Sequence, residues 1–170
     1  MESLKDIYHN HEQLLKMRHS LKTLFHDLNV SVTIGGSYAL KWHSAEFATR
    51  EIHDYDFIVR GSQEAISKVR QILIAMMYLG LVKHPGDMQA SDSGSWVMGD
   101  YNGHPIDIIL TVGTPCPCCV FESLEDIAKA KLSYKAKYKK MHIEPRVKDI
   151  QDLEILHKLL QAEDTIFWDK

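Results

Sequence analysis

Asp54 and Asp56 are two carboxylates separated by one residue in the run Asp54-Tyr55-Asp56-Phe57-Ile58-Val59. That run reads as a β-strand. Residues i and i+2 of a strand project from one face, so the two carboxylates are expected side by side with Tyr55 and Phe57 turned away. Adjacent carboxylates repel, and the arrangement is costly unless a cation neutralises it. Hard oxygen ligands of this kind suit Mg2+ or Mn2+, ions that also bridge phosphates. Asp107 is a third charge, set among Ile106, Ile108, Ile109 and Leu110. A charge in an apolar strand needs a partner unless it faces water, and a metal shared with Asp54 and Asp56 would supply one. Three such carboxylates can hold two ions about 4 Å apart. One would sit on the β- and γ-phosphates of a nucleoside triphosphate, the other would activate an acceptor hydroxyl for in-line attack on the α-phosphate. All three aspartates are thus candidate metal ligands and catalytic residues, with Asp107 the one expected to assist deprotonation.

The residues that would hold the triphosphate itself are Gly35, Gly36 and Ser37. Glycine lets a backbone approach a phosphate closely, the N-terminus of a following helix offers free N–H groups, and Ser37 can add a hydroxyl contact. The flanking pattern supplies those elements. Val30-Ser31-Val32-Thr33-Ile34 alternates like a half-buried strand, and the stretch from Ser37 has helical character. Before it, Leu4, Ile7, His11, Leu14, Leu21, Phe25 and Leu28 recur at helical spacing, predicting one amphipathic helix over the first 28 residues, ended by Asn29. After the Asp54 strand, Ile66, Val69, Ile72, Leu73 and Met76 trace a helix stopped by Gly80. Asn102-Gly103 between two β-like runs predicts a hairpin whose second strand carries Asp107. Helices are then expected over 121–138 and 145–160, the second opened by Pro145.

The whole chain bounds these readings. Its 170 residues, 45% apolar and 25% charged, suit a globular unit with a sizeable core. No run of about 18 apolar residues occurs, and the N-terminus lacks a signal-peptide profile, so a cytoplasmic protein with no membrane partner is expected. The net charge of −3 argues against a general basic coat, although residues 129–148 hold eight of the twenty Lys and Arg residues and make a local anion-facing surface. All three cysteines lie in Pro115-Cys116-Pro117-Cys118-Cys119. Adjacent cysteines interleaved with prolines suggest a reduced loop, without a disulfide or a structural zinc site. The ten histidines, including His43, His53, His84 and His104, lack the i, i+4 spacing of a helical metal site.

Gly-Gly-Ser opening a helix, Asp-x-Asp on the next strand and a later strand Asp together resemble the DNA polymerase beta-like nucleotidyltransferase superfamily over about 30–112. Within it, Gly35-Gly36-Ser37-Tyr38-Ala39-Leu40, Arg50-x-x-x-Asp54-x-Asp56 and Lys148-Asp149-x-x-Asp152-Leu153 are similar to the AbiEii-type abortive-infection toxin nucleotidyltransferases. One departure is Ile52, where that family has Ser or Thr.

The resemblance implies an α+β fold: a small mixed twisted sheet with flanking helices over 29–113, an N-terminal helix at 1–28 packing on it, and a helical region over 120–170. It also implies transfer of a nucleoside monophosphate from an NTP to an acceptor hydroxyl on tRNA, a protein or a small molecule, with an antitoxin-like protein as possible partner. Lys131 occupies the place of a family lysine, and independently lies on the inward stripe set by Leu124, Ile127 and Ala128, where an ammonium needs an anion. Lys131, with Lys135 one turn on as its helper, is the expected triphosphate contact, and Arg50, four before Asp54, is expected either to orient a carboxylate or to touch phosphate. Asp149 and Asp152, three apart on one helix face, could bond Lys131, Arg146 or the glycine turn. The competing class is a nucleotide-binding or toxin–antitoxin interaction module of the same fold without turnover.

Overall fold

The computed structural model describes residues 4–83 and 95–161, with side chains from residue 9 onward. His84 and the side chains of Leu4 and Ile7 lie outside the described residues. The elements are α1 (Leu4–Leu24), β1 (Val30–Ile34), α2 (Gly36–His43), a 3-10 turn at Ala45–Phe47, β2 (Tyr55–Gly61), α3 (Gln63–Tyr78), β3 (Trp96–Tyr101), β4 (His104–Val112), α4 (Leu124–Lys140) and α5 (Val147–Leu160). No helix among the described residues is long and apolar enough to cross a membrane. The chain divides into two compact units, Met1–Tyr38 with Glu51–Phe121, and Ala39–Arg50 with Glu122–Lys170.

The first unit is built on a four-stranded mixed sheet in the order β1-β2-β4-β3. β2 runs antiparallel to β1 and parallel to β4, and β3 closes the edge antiparallel to β4. The register puts Val32 opposite Val59, Ile34 opposite Phe57, and Phe57 opposite Ile108. This alternate set is apolar, and it packs with Leu14, Leu21 and Phe25 from the α1 region and Ile66, Val69 and Leu73 from α3 in one buried cluster. With one face so committed, period-two alternation sends Asp56 and Asp107 to the opposite face.

Several elements end where local chemistry ends them. α1 stops at Leu24, four residues short of the expected helix. Leu28 N–H bonds the Phe25 carbonyl and His26 N–H that of Thr23, a tightening that breaks the i+4 ladder. At the end of α3, Gly80 takes φ +75° and bonds the Met77 carbonyl, as a C-terminal glycine should. Asn102 and Gly103, at φ 53° and 79°, make the tight turn between β3 and β4.

In the second unit α4 begins at Leu124, not Phe121. Ser123 caps it by accepting the Asp126 N–H, and Phe121 forms a parallel bridge with Ile34 in the first unit's sheet instead. α5 begins at Val147, with Arg146 as its unassisted cap. Ile127, Ala128, Tyr138, Leu153, Leu156 and Leu160 are buried within it.

Candidate functional site

Asp56 and Asp107 face one another across the parallel pair β2 and β4, at matched positions of the register. Asp54 does not lie on the strand. It is the residue just before β2, so strand alternation alone does not explain its place. One carboxylate oxygen from each of Asp54, Asp56 and Asp107 lies within 4.8 Å of the others. Two oxygens bound to one octahedral Mg2+ stand about 3–4 Å apart, so small side-chain rotations would bring this all-oxygen donor set onto an ion. The set fits a hard divalent cation.

The electrostatics agree with that fit. Asp107 is 8% exposed, and its carboxyl is pushed up to about 6, first by burial and then by the charge and hydrogen bond of Asp54. What Asp107 meets in Asp54 is a second acid. A shared proton or a cation relieves such an arrangement.

The glycine turn abuts this cluster. Gly35 N–H donates to the Asp56 carbonyl at 2.8 Å, which ties the turn to the first residues of β2. Gly36 takes φ +61°, and a Cβ there would overlap Asp56 Oδ2. Glycine at position 36 is therefore required twice, by the backbone and by the carboxylate. Gly36 opens α2, and the buried Ser37 is its second residue. The structure thus assembles Gly35, Gly36, Ser37, Asp54, Asp56 and Asp107 within one unit.

Arg50, Lys131 and Lys135 belong to the other unit. Lys131 Nζ stands 2.8 Å from Asp149 Oδ1 and 3.0 Å from Asp152 Oδ2, Arg146 Nε donates to Asp149 Oδ2 at 2.9 Å, and Arg50 pairs with Asp152. Asp152 is fully buried and Asp149 is 3% exposed. Burial works to raise Asp149, but the bonds from Lys131 and Arg146 outweigh it and hold the carboxyl below its ordinary range. Burial lowers Lys131, with Asp149 opposing. Lys135 is exposed on α4.

Two features were not anticipated. Cys116 and Cys119 form a disulfide, where the sequence suggested a reduced loop. A turn closed by Cys119 N–H on the Cys116 carbonyl at 3.1 Å brings their Cα atoms to 5.5 Å, an ordinary bridging distance that spacing through Pro117 does not reveal. Arg18 is the second. Its Nε donates to the Val32 carbonyl at 2.7 Å and its Nη2 to the Cys119 carbonyl at 2.8 Å. The available signal was its spacing, four after Leu14 and three before Leu21, which puts an arginine on the inward stripe of α1.

No family model matches the sequence, and no curated protein does. Among solved structures, a crystal structure of an antigenic nucleotidyltransferase-like protein from Paracoccidioides brasiliensis is similar over 87% of this chain and 77% of that one, at 13% identity and a TM-score of 0.44.

Proposed function

We propose that this protein is a metal-dependent nucleotidyltransferase, moving a nucleoside monophosphate from an NTP to an acceptor hydroxyl with pyrophosphate leaving. The observation that carries this reading is the convergence of Asp54, Asp56 and Asp107, each with a carboxylate oxygen within 4.8 Å of the others, beside a glycine whose missing side chain leaves room for Asp56. Bound Mg2+ or Mn2+ would neutralise phosphate charge and acidify the acceptor hydroxyl. The three aspartates hold that charge in place. Gly35 and Gly36 admit the phosphates close to the backbone, and Ser37 and the first N–H groups of α2 bind phosphate oxygens. Asp107, the most buried of the three carboxylates and set on β4 opposite Asp56, is the one that would accept the hydroxyl proton.

The motif resemblance of Arg50-x-x-x-Asp54-x-Asp56 and Lys148-Asp149-x-x-Asp152-Leu153 to AbiEii-type toxins leaves tRNA, a protein side chain and a small molecule as acceptor classes, with an antitoxin-like protein as the proposed regulator. The test is label transfer from a panel of α-phosphate-labelled NTPs, with Mg2+ or Mn2+, onto total tRNA, candidate small molecules and the protein itself. Asp54→Ala/Asp56→Ala is the control. Transfer is expected to fall by about a thousandfold or more in that variant. Metal-dependent NTP binding with no transfer to any acceptor would turn the assignment towards a binding module.

A further inference from the structure

Three sulfurs stand together at the loop that follows β4. Cys116 and Cys119 are joined and half-buried, while Cys118 is a free, exposed thiol whose Sγ lies 3.8 Å from Cys116 Sγ. All three sulfurs fall within 4.8 Å of one another. A thiol in van der Waals contact with a disulfide sulfur has the starting geometry of thiol–disulfide exchange. We propose that Cys116, Cys118 and Cys119 form an exchange site for a low-molecular-weight disulfide or thiol, with Cys118 as the sulfur that meets it.

The scaffold around the loop keeps the sulfurs together whichever bond is made. Arg18 Nη2 holds the Cys119 carbonyl, Ile34 N–H donates to the Val120 carbonyl at 2.8 Å, and Cys119 N–H closes the turn on Cys116. Pro115 and Pro117 fix φ on either side of Cys116. None of these restraints is a sulfur bond, so opening the disulfide leaves the loop in place.

The chemistry balances in three steps from the reduced loop. The Cys118 thiolate attacks a disulfide RSSR; the bond from Cys118 to SR forms, the RS–SR bond breaks, and one RS⁻ leaves with the electron pair. The Cys116 thiolate then attacks Cys118 Sγ, forming Cys116–Cys118 and expelling the second RS⁻. Finally the Cys119 thiolate attacks Cys116 Sγ, forming Cys116–Cys119 and returning Cys118 as a thiolate. Two protein thiols are oxidised, one external disulfide is reduced to two thiols, and excess RSH drives the sequence backward. Cys116 is the central sulfur because it bonds either neighbour. This inference does not depend on nucleotide transfer.

The experiment uses the full chain, reduced and freed of reductant, challenged with no more than one equivalent of oxidised glutathione so that none remains to re-cap the Cys118 thiol once Cys116–Cys119 has formed, acid-quenched at intervals and mapped by peptide mass spectrometry. A glutathione adduct is expected on Cys118 first, decaying as Cys116–Cys119 accumulates. Cys118→Ser, which alters an exposed side chain, should slow formation of Cys116–Cys119 by about tenfold or more, because attack must then begin at a half-buried sulfur. Cys119→Ser should stop at Cys116–Cys118 with no lasting adduct. Oxidation of Cys118→Ser at the wild-type rate, or a persistent Cys118 adduct in either the wild type or Cys119→Ser, would overturn the proposal.

Discussion

The protein gathers aspartates in two places and treats them in opposite ways. In the second unit Asp149 and Asp152 are met by Lys131, Arg146 and Arg50, and Asp149 is held below its ordinary pKa although burial pulls the other way. In the first unit Asp107 is met by Asp54, and burial and that neighbour push its carboxyl up to about 6. The first arrangement sets cations of the protein's own against its buried anions, which offsets part of their desolvation cost. The second is left with a charge problem that a divalent cation would solve. Carboxylates matched with cations suit a supporting role, whereas a group of acids with one carboxyl pushed up marks a candidate ligand site.

Removing a cation from the ion-paired cluster gives the largest expected change in stability. Lys131→Met would leave Asp149 and Asp152 buried beside an apolar chain, and breaking such a buried pair costs about 3–5 kcal/mol. Chemical denaturation should show this as a lower midpoint. Neutralising the acid as well, in Lys131→Met/Asp152→Asn, should recover part of the loss. The comparison breaks if Lys131→Met denatures like the wild type while NTP affinity falls, since Lys131 would then chiefly serve phosphate.

The sequence made the two clusters visible to different degrees. Asp56 and Asp107 were legible because strand periodicity is strict and each sat among apolar residues. Lys131 and its link to Asp149 followed from helical spacing in the same way. Asp54 joined the site for a reason the pattern could not supply, because it lies before β2, where alternation no longer governs direction. The pairing of β2 with β4, which sets Asp56 against Asp107, skips β3 in the chain and depends on a long-range register. Helix ends were misplaced where one capping bond decided them, as Ser123 does for α4. The disulfide was missed because a turn through Pro117 closes a distance that linear spacing obscures.

Gly36 sharpens the comparison from the side of the all-acid cluster. Gly36→Ala must both adopt φ +61° and displace Asp56 Oδ2, and strain of this kind costs about 1–3 kcal/mol. Gly80 is the control, with φ +75° and open space around the added methyl, so Gly80→Ala should cost only about 1–2 kcal/mol. The decisive readout is Mg2+ binding by calorimetry. Gly36→Ala should weaken it and Gly80→Ala should leave it unchanged. Equal effects of the two variants on Mg2+ would mean that Gly36 serves the turn alone.

The most graded expected effect is the pH response of Asp107, spread over the window between its two pKa values. Its folded pKa of about 6 lies above its ordinary 3.8, so the metal-free folded protein binds that proton more tightly than the unfolded chain does. The stabilisation from this group is therefore fully present below about pH 4 and is lost as pH rises through about 6. Asp107→Asn, which cannot ionise, should flatten that part of the stability profile and make the metal-free protein relatively more stable near neutral pH. Mg2+ should act in the opposite sense on the wild type, because it competes with the proton for the same oxygens. Its stabilising effect in thermal melts should be clear at about pH 7 and weaken at about pH 5. If Asp107→Asn retained the wild-type pH profile and the Mg2+ effect were the same at both pH values, Asp107 would be a solvated strand residue and the contrast between the two clusters would fail at its central residue.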